Sequence, residues 1–187
     1  VKSELLSERI KLVQSERKHA PALFAFWSDP EVTRYMNIET FSSVEEAISM
    51  IDLLNKLAAK KQANRYTIIM GKSEEIIGSC GFNYLDYDNE KAEVGYDLGK
   101  EYWGRGLASE VVTMMLKYGF QELYLNRIEA KVAPENKRSI KLLERLGFLY
   151  EGHLRQSEKT KEGFIDVRLY SMLKEDFLRK LEVSRQI

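Results

Sequence analysis

Lys100-Glu-Tyr-Trp-Gly-Arg-Gly-Leu-Ala108 stands between an alternating run, Ala92-Glu-Val-Gly-Tyr-Asp-Leu98, and a segment whose apolar residues recur at helical spacing. The implied order is strand, glycine loop, helix. Gly104 and Gly106, one residue apart, let backbone N–H groups crowd together where the helix begins. The first N–H groups of a helix lack intrahelical partners, and the macrodipole is positive there. Such a loop suits an anion, for example the diphosphate of a nucleotide-containing cofactor. The same two glycines equally suit a plain reversal of the chain.

On the N-terminal side of this loop, Leu5 to Val13 reads as one opening strand with Ile10 and Leu12 on its buried face. Ala20, Leu23, Phe24 and Trp27 mark a helix from Glu16 to Trp27, which Asp29-Pro30 ends. Residues Glu31 to Tyr35 suit a short second helix with proline at its first position. Ser43 and Glu46 form a capping box that opens a helix to about Lys61. Arg65 to Met70, Glu75 to Leu85 and Ala92 to Leu98 read as three antiparallel strands leading directly into the loop. Beyond it, Leu107 to Gln121 carries an apolar helical face, and Arg127 to Val132 alternates as a strand. Pro134-Glu-Asn136 starts another helix, ended by Gly147 as a left-handed cap. Phe148 to Met172 reads as two strands around Lys161-Glu-Gly163, and a terminal helix follows from Glu175. This order predicts an α+β fold in one domain spanning residues 1–187, with the loop inside a right-handed crossover.

Composition narrows the partners. Among 187 residues, 44% are hydrophobic and 31% charged, enough for a substantial core. Lys plus Arg equals Asp plus Glu at 29 each, so no global field draws the chain to nucleic acid or to an anionic membrane. Neither is expected as a partner. No apolar run approaches the roughly 20 residues of a membrane span, and the first dozen residues lack the layout of a signal peptide. A cytoplasmic location is expected. One cysteine, Cys80, excludes an intrachain disulfide, and His19 and His153 have no metal-ligand spacing, so no metal is expected.

The commoner nucleotide loops fit poorly. A dinucleotide fingerprint needs a third glycine where Ser109 stands, within repeated βαβ units that are missing here. A Walker loop needs a Gly-Lys-Ser/Thr ending that is also missing.

Tyr102-Trp-Gly-Arg-Gly-Leu-Ala108, after a strand ending Gly95-Tyr-Asp-Leu98, resembles the acetyl-CoA loop of the GNAT N-acetyltransferases, whose pattern is Gln/Arg-x-x-Gly-x-Gly/Ala. Trp103 takes the Gln/Arg position, a departure typical of the RimJ/RimL-like branch that acetylates ribosomal proteins. Asn136-Lys-Arg-Ser139 with Leu142-Leu-Glu-Arg-Leu-Gly-Phe148 is similar to that branch's second motif. Leu6-Ser-Glu-Arg-Ile-Lys-Leu12 and Ser28-Asp-Pro-Glu-Val-Thr-Arg-Tyr35 are similar to its beginning. The resemblance implies a GNAT fold, a splayed, mostly antiparallel mixed sheet flanked by helices, with acetyl-CoA as co-substrate. It implies that backbone N–H groups of Trp103, Gly104, Arg105, Gly106, Leu107 and Ala108 bind the pyrophosphate. Leu98, Gly99 and Lys100 would meet the pantetheine through their main chain, and Asn136 would hold the pantetheine arm or cap its helix. Arg105, Lys137, Arg138, Lys141 and Arg145 would either screen phosphates or lie on solvated helix faces. The resemblance also admits a homodimer.

Acetyl transfer to an amine needs a neutral nitrogen, a stabilised oxyanion and a proton for the departing thiolate. Many family members supply that proton from a tyrosine at the position of Leu143. In the RimL-like branch a serine takes the role, which falls on Ser139; a purely structural hydrogen bond is the alternative. By the same resemblance Glu158 is the candidate base, set against an exposed strand-edge charge; Glu93 and Asp166 are weaker candidates. Tyr35, Asn83, Tyr84 and Tyr170 are candidate acceptor-cleft residues, set against packing, the commoner role of aromatic residues in strands. Cys80 reads as a small buried strand residue and His153 as a surface or satisfied histidine. A free α-amine, pKa near ~8, is about one-tenth neutral at pH 7, whereas a lysine near ~10.4 carries a deficit of roughly 4.6 kcal/mol. A protein N-terminus is therefore the easier acceptor. Two readings stand beside it: acetylation of a small amine such as a polyamine, amino acid or antibiotic, and a non-catalytic acyl-CoA-binding module.

Overall fold

The computed structural model describes residues 2–36, 38–160 and 162–185. Eight strands form one open mixed sheet in the order β1-β2-β3-β4-β5-β6-β8-β7. They are β1 (Glu4–Leu6), β2 (Ile10–Gln14), β3 (Asn64–Met70), β4 (Ile76–Asp86), β5 (Lys91–Leu98), β6 (Arg127–Val132), β7 (Leu149–Thr160) and β8 (Gly163–Leu173). The helices are α1 (Ala20–Trp27), α2 (Pro30–Thr33), α3 (Val44–Ala59), α4 (Leu107–Lys117), α5 (Lys137–Leu146) and α6 (Lys174–Arg185). The pair β5–β6 is parallel, through Lys91↔Arg127, Ala92↔Ile128 and Glu93↔Glu129. The pairs β1–β2, β2–β3, β3–β4, β6–β8 and β7–β8 are antiparallel. This is the open, mostly antiparallel mixed sheet of the α+β GNAT-type arrangement that the resemblance implies.

The chain divides into two compact units, one running to Leu85 with Val94–Met114, the other Asp86–Glu93 with the chain from Met115 onward. In the first unit the single opening strand expected over Leu5 to Val13 is instead a hairpin. Ser7 breaks it: its N–H donates to the Ile10 carbonyl at 2.9 Å and its hydroxyl accepts from the Ile10 N–H at 3.1 Å, closing a turn that alternation alone does not reveal. The Ser43–Glu46 capping box opens α3 as expected, with Ala47, Ile51 and Ala58 buried. Asp29 caps α2 by accepting from the Glu31 N–H at 2.8 Å, with Pro30 at its first position.

A buried polar knot joins β3, β4, β5 and α1 in this unit. Asp97 accepts from Arg65 Nη2 at 2.6 Å, from the Ser79 hydroxyl and from Trp27 Nε1 at 3.2 Å. The Asp97 side chain is 2% exposed and that of Arg65 10%, so each charge depends on the other. Arg65 also donates to Ser79 Oγ at 3.0 Å and to Asn83 Oδ1 at 3.2 Å.

In the second unit, Ile128, Ala130 and Val132 are buried on β6 as their alternation predicts. The helix expected to continue to Gln121 ends its α-helical part at Lys117 and closes with a π turn, Tyr118–Glu122, where Leu123 N–H reaches back to the Tyr118 carbonyl at 3.0 Å. The helix expected after Pro134-Glu-Asn136 begins at Lys137, with Asn136 as its N-cap accepting from the Ser139 N–H at 3.2 Å. Gly147 ends it in the left-handed conformation, φ 90°. Strand β7 bulges between Leu154 and Glu158, with Gln156 at φ 50°. Of the turn expected at Lys161-Glu-Gly163, Lys161 lies outside the described residues.

Candidate active site

The loop leaving β5 is built by close packing. A Cβ on Gly99 would stand 2.4 Å from the Phe26 ring, so only glycine lets α1 press this tightly on the strand end. A short 3₁₀ turn, Lys100–Tyr102, follows, and Lys100 pairs with Glu31 of α2, which raises its pKa. Tyr102 is buried; its hydroxyl donates to Glu75 Oε1 at 2.6 Å. Burial, then the bond to that carboxylate, pushes it up to about 12, so Tyr102 stays neutral and committed to Glu75. The indole N–H of Trp103 donates to the Leu98 carbonyl at 2.9 Å and so ties the end of β5 to the start of the loop.

Gly104 and Gly106 then adopt φ of 72° and 75°, the left-handed region that favours glycine. A Cβ on Gly104 would meet nothing within 4 Å, and on Gly106 only Arg9 Nη2, at 3.6 Å. The loop is therefore open above its glycines. The first i→i−4 bond of the following helix runs from the Glu110 N–H to the Gly106 carbonyl, 3.2 Å. The N–H groups of Leu107, Ala108 and Ser109 precede that bond and have no carbonyl one turn back within the helix. Unpaired N–H groups at the start of a helix are the chemistry that suits an anion.

Three residues that the sequence does not connect with this loop support it. Glu110, in the first turn of α4, accepts from the Ser7 hydroxyl at 2.7 Å, from the Arg9 N–H at 3.1 Å and from Arg9 Nε at 2.7 Å. Burial pushes the Glu110 carboxyl up, but these hydrogen bonds and the Arg9 charge outweigh it and hold the group below its usual range. Arg9 Nη1 also donates to the Arg105 carbonyl at 3.2 Å. About a hundred residues separate Arg9 from its partners, so no local pattern signals the contact. The Arg105 guanidinium sits over the Tyr102 ring, 5.8 Å from its centroid.

Leu98, Gly99, Lys100 and Trp103 to Ala108 thus form one continuous feature of the first unit. Asn136, Ser139 and Glu158 belong to the second. Asn136 is the N-cap of α5 and Ser139 its partly buried third residue. Leu143 is 2% exposed in the core. Lys137 Nζ donates to the Pro134 carbonyl at 2.8 Å, within its own turn. Glu158 lies 4.0 Å from Lys131 Nζ, which binds Glu93 more closely at 3.0 Å. Burial lowers the Lys131 pKa, but the Glu93 hydrogen bond with the Glu93, Glu158 and Glu129 charges reverses this, leaving a firmly protonated ammonium. Glu158 is thus a half-buried residue of β7, the edge strand of the sheet. It belongs to a cross-strand cluster that arises because β6 and β7 flank β8.

Tyr170 leaves the set of acceptor-cleft candidates. It is 1% exposed, donates to Glu144 at 3.1 Å and packs on Tyr150, because its strand position faces the core. Tyr35, Asn83 and Tyr84 are exposed. Asp166 bonds His153 Nε2 at 2.7 Å and accepts from the Gln156 N–H at 2.7 Å, so this carboxylate holds the β7 bulge. Cys80 is fully buried and burial pushes its thiol up to about 12.

Residues 9–149 match the acetyltransferase (GNAT) domain family. The chain belongs to this family. Like others of its kind it is an N-acetyltransferase, and acetyl-CoA is the co-substrate that membership brings. It is 51% identical over 173 residues, 92% of this chain and 97% of the relative, to a Bacillus licheniformis protein described as the uncharacterized N-acetyltransferase p20. An Escherichia coli ribosomal-protein-serine acetyltransferase is 32% identical over 102 residues, 54% of this chain and 57% of that one. The solved structure of RimL, a ribosomal L7/L12 alpha-N-protein acetyltransferase in complex with coenzyme A, superposes with a TM-score of 0.83 at 22% identity, covering 92% of this chain and 98% of RimL. The fold of this GNAT enzyme is thus that of RimL, consistent with the RimJ/RimL-like branch.

Proposed function

We propose that this GNAT enzyme transfers the acetyl group of acetyl-CoA to the N-terminal α-amine of a protein in the cytoplasm, with a ribosomal protein as the acceptor class. The observation that carries the donor half is the open loop with Gly104 and Gly106 in the left-handed conformation before the first turn of α4. Its N–H groups from Gly104 to Ala108 hold the diphosphate, the Trp103 N–H expected among them being taken by the Lys100 carbonyl at 3.2 Å, and Leu98, Gly99 and Lys100 align the pantetheine along the end of β5. Asn136 holds the pantetheine arm from the start of α5. The acceptor half is supported by the likeness to ribosomal-protein acetyltransferases and by the lower pKa of an α-amine relative to lysine.

In the reaction the neutral amine nitrogen attacks the thioester carbon, the C–S bond breaks, the amine loses a proton and the thiolate gains one. Ser139 supplies the proton to sulfur, and Glu158 receives the proton of the amine. The protonated Lys131 beside Glu158 does not compete as a base.

Following thiol release from acetyl-CoA with a panel of N-terminal peptides and small amines tests this reading. Turnover of peptides with a free α-amine, abolished by blocking that amine, is the expected result. Turnover confined to small amines would overturn the acceptor, and CoA binding with no release for any acceptor would overturn the enzyme reading in favour of a binding module. Ser139→Ala and Glu158→Gln each lower kcat about 100-fold or more if these residues transfer protons. An unchanged kcat removes the residue from the mechanism.

A further inference from the structure

We propose that Arg9 is a positioning residue of the donor loop: it holds the Arg105 carbonyl toward the β1–β2 turn and thereby aims the Gly106 N–H at the cofactor's diphosphate. The inference rests on the acetyl-CoA reading above. Its basis is the planarity of the peptide unit. The Arg105 carbonyl and the Gly106 N–H belong to one trans peptide and point in opposite directions, since no cis peptide occurs among the described residues. Arg9 Nη1 bonds that carbonyl at 3.2 Å, and Arg9 Nη2 stands 3.6 Å from the place a Gly106 Cβ would take. The Gly106 N–H is therefore turned away from Arg9.

The contact matters because glycines flank Arg105 on both sides. With Gly104 and Gly106 free of Cβ constraint, the Arg105–Gly106 peptide can rotate, and a flip would present a carbonyl oxygen to an anion where an N–H is required. Arg9 opposes the flip. Arg9 is itself immobilised, since its Nε and its backbone N–H both bond the Glu110 carboxylate that Ser7 secures from the other side. The planar fork suits this double task, with one edge on Glu110 and the other on the carbonyl; a lysine ammonium has no such fork. The same pairing neutralises Glu110, which otherwise places a negative charge in the first turn of the anion-binding helix.

Arg9→Met and Arg9→Lys test the proposal on the full chain, by calorimetric binding of CoA and by turnover of acetyl-CoA against S-acetylpantetheine, which lacks the diphosphate. For Arg9→Met the Kd for CoA rises roughly tenfold, the loss of one charge-assisted hydrogen bond. Its kcat at saturating acetyl-CoA stays within about twofold, and kcat/KM for S-acetylpantetheine is unchanged, because only the diphosphate contact is lost. Arg9→Lys recovers part of the CoA affinity. Equal losses with both thioesters, an unchanged Kd in Arg9→Met, or full recovery in Arg9→Lys would overturn the positioning role. A wild type that fails to bind CoA would overturn the acetyl-CoA reading, and this inference with it.

Discussion

Asp97→Ala removes the hub of the buried knot in the first unit, and its cost follows from what is left behind. Among the described residues the Arg65 guanidinium, 10% exposed, keeps only Ser79 and Asn83 as hydrogen-bond partners and no ion-pair partner. Breaking one side of a buried ion pair costs about 3–5 kcal/mol. The indole N–H of Trp27, itself 2% exposed, also loses its acceptor, a further penalty of about 1–3 kcal/mol that is not fully additive. We therefore expect a net loss of about 4 kcal/mol, or roughly 8–16 °C in Tm for a chain of this size. Urea unfolding followed by circular dichroism at 222 nm reads the change as a lower midpoint with an unchanged slope. Arg65→Met combined with Asp97→Leu removes both charges and recovers about half of the loss or more, since apolar side chains tolerate the site better than one orphaned cation. A loss below about 1 kcal/mol in Asp97→Ala, or a double variant less stable than the single one, would refute the claim that the two charges depend on each other.

Other expectations are narrower. Gly106→Ala forces an L side chain to φ 75° and sets its methyl group beside Arg9; a stability loss of about 1–2 kcal/mol is expected by thermal denaturation, with weaker CoA binding. Glu151 is held down to about 2, first by its hydrogen bond from Arg127 and then by Ser171. A carboxyl whose folded pKa is depressed contributes stability above its usual value near 4.5 and loses it as pH falls toward 2. The stability difference between wild type and Glu151→Gln should therefore shrink across that window in urea titrations. Cys80, with its thiol pushed to about 12 and fully buried, should react with an aromatic disulfide reagent at pH 8 only after denaturant is added; rapid labelling of the native chain would contradict its burial.

Much of the donor loop was legible in the chain itself. Strand alternation, two glycines one residue apart and an apolar helical face are local properties, and the backbone at Gly104 and Gly106 obeys them. The Ser43 capping box and the Gly147 cap are legible for the same reason, since each motif spans a few residues. The turn at Ser7 is hidden in the sequence because a serine that closes a turn with its own side chain leaves the apolar alternation on either side nearly intact. Tyr170 packs in the core, the commoner fate of an aromatic strand residue, because its face of β8 turns inward, which strand alternation alone does not reveal.

Local sequence thus determined the elements, their caps and the shape of the glycine loop, because hydrogen-bonding and conformational preferences act over one or two turns of chain. Only the tertiary structure decided which distant side chains serve that loop. Arg9 and Glu110, like Arg65 and Asp97, meet because the sheet and its helices bring them together. Charge pairing of this kind depends on distance and burial, neither of which is encoded at a fixed spacing along the chain.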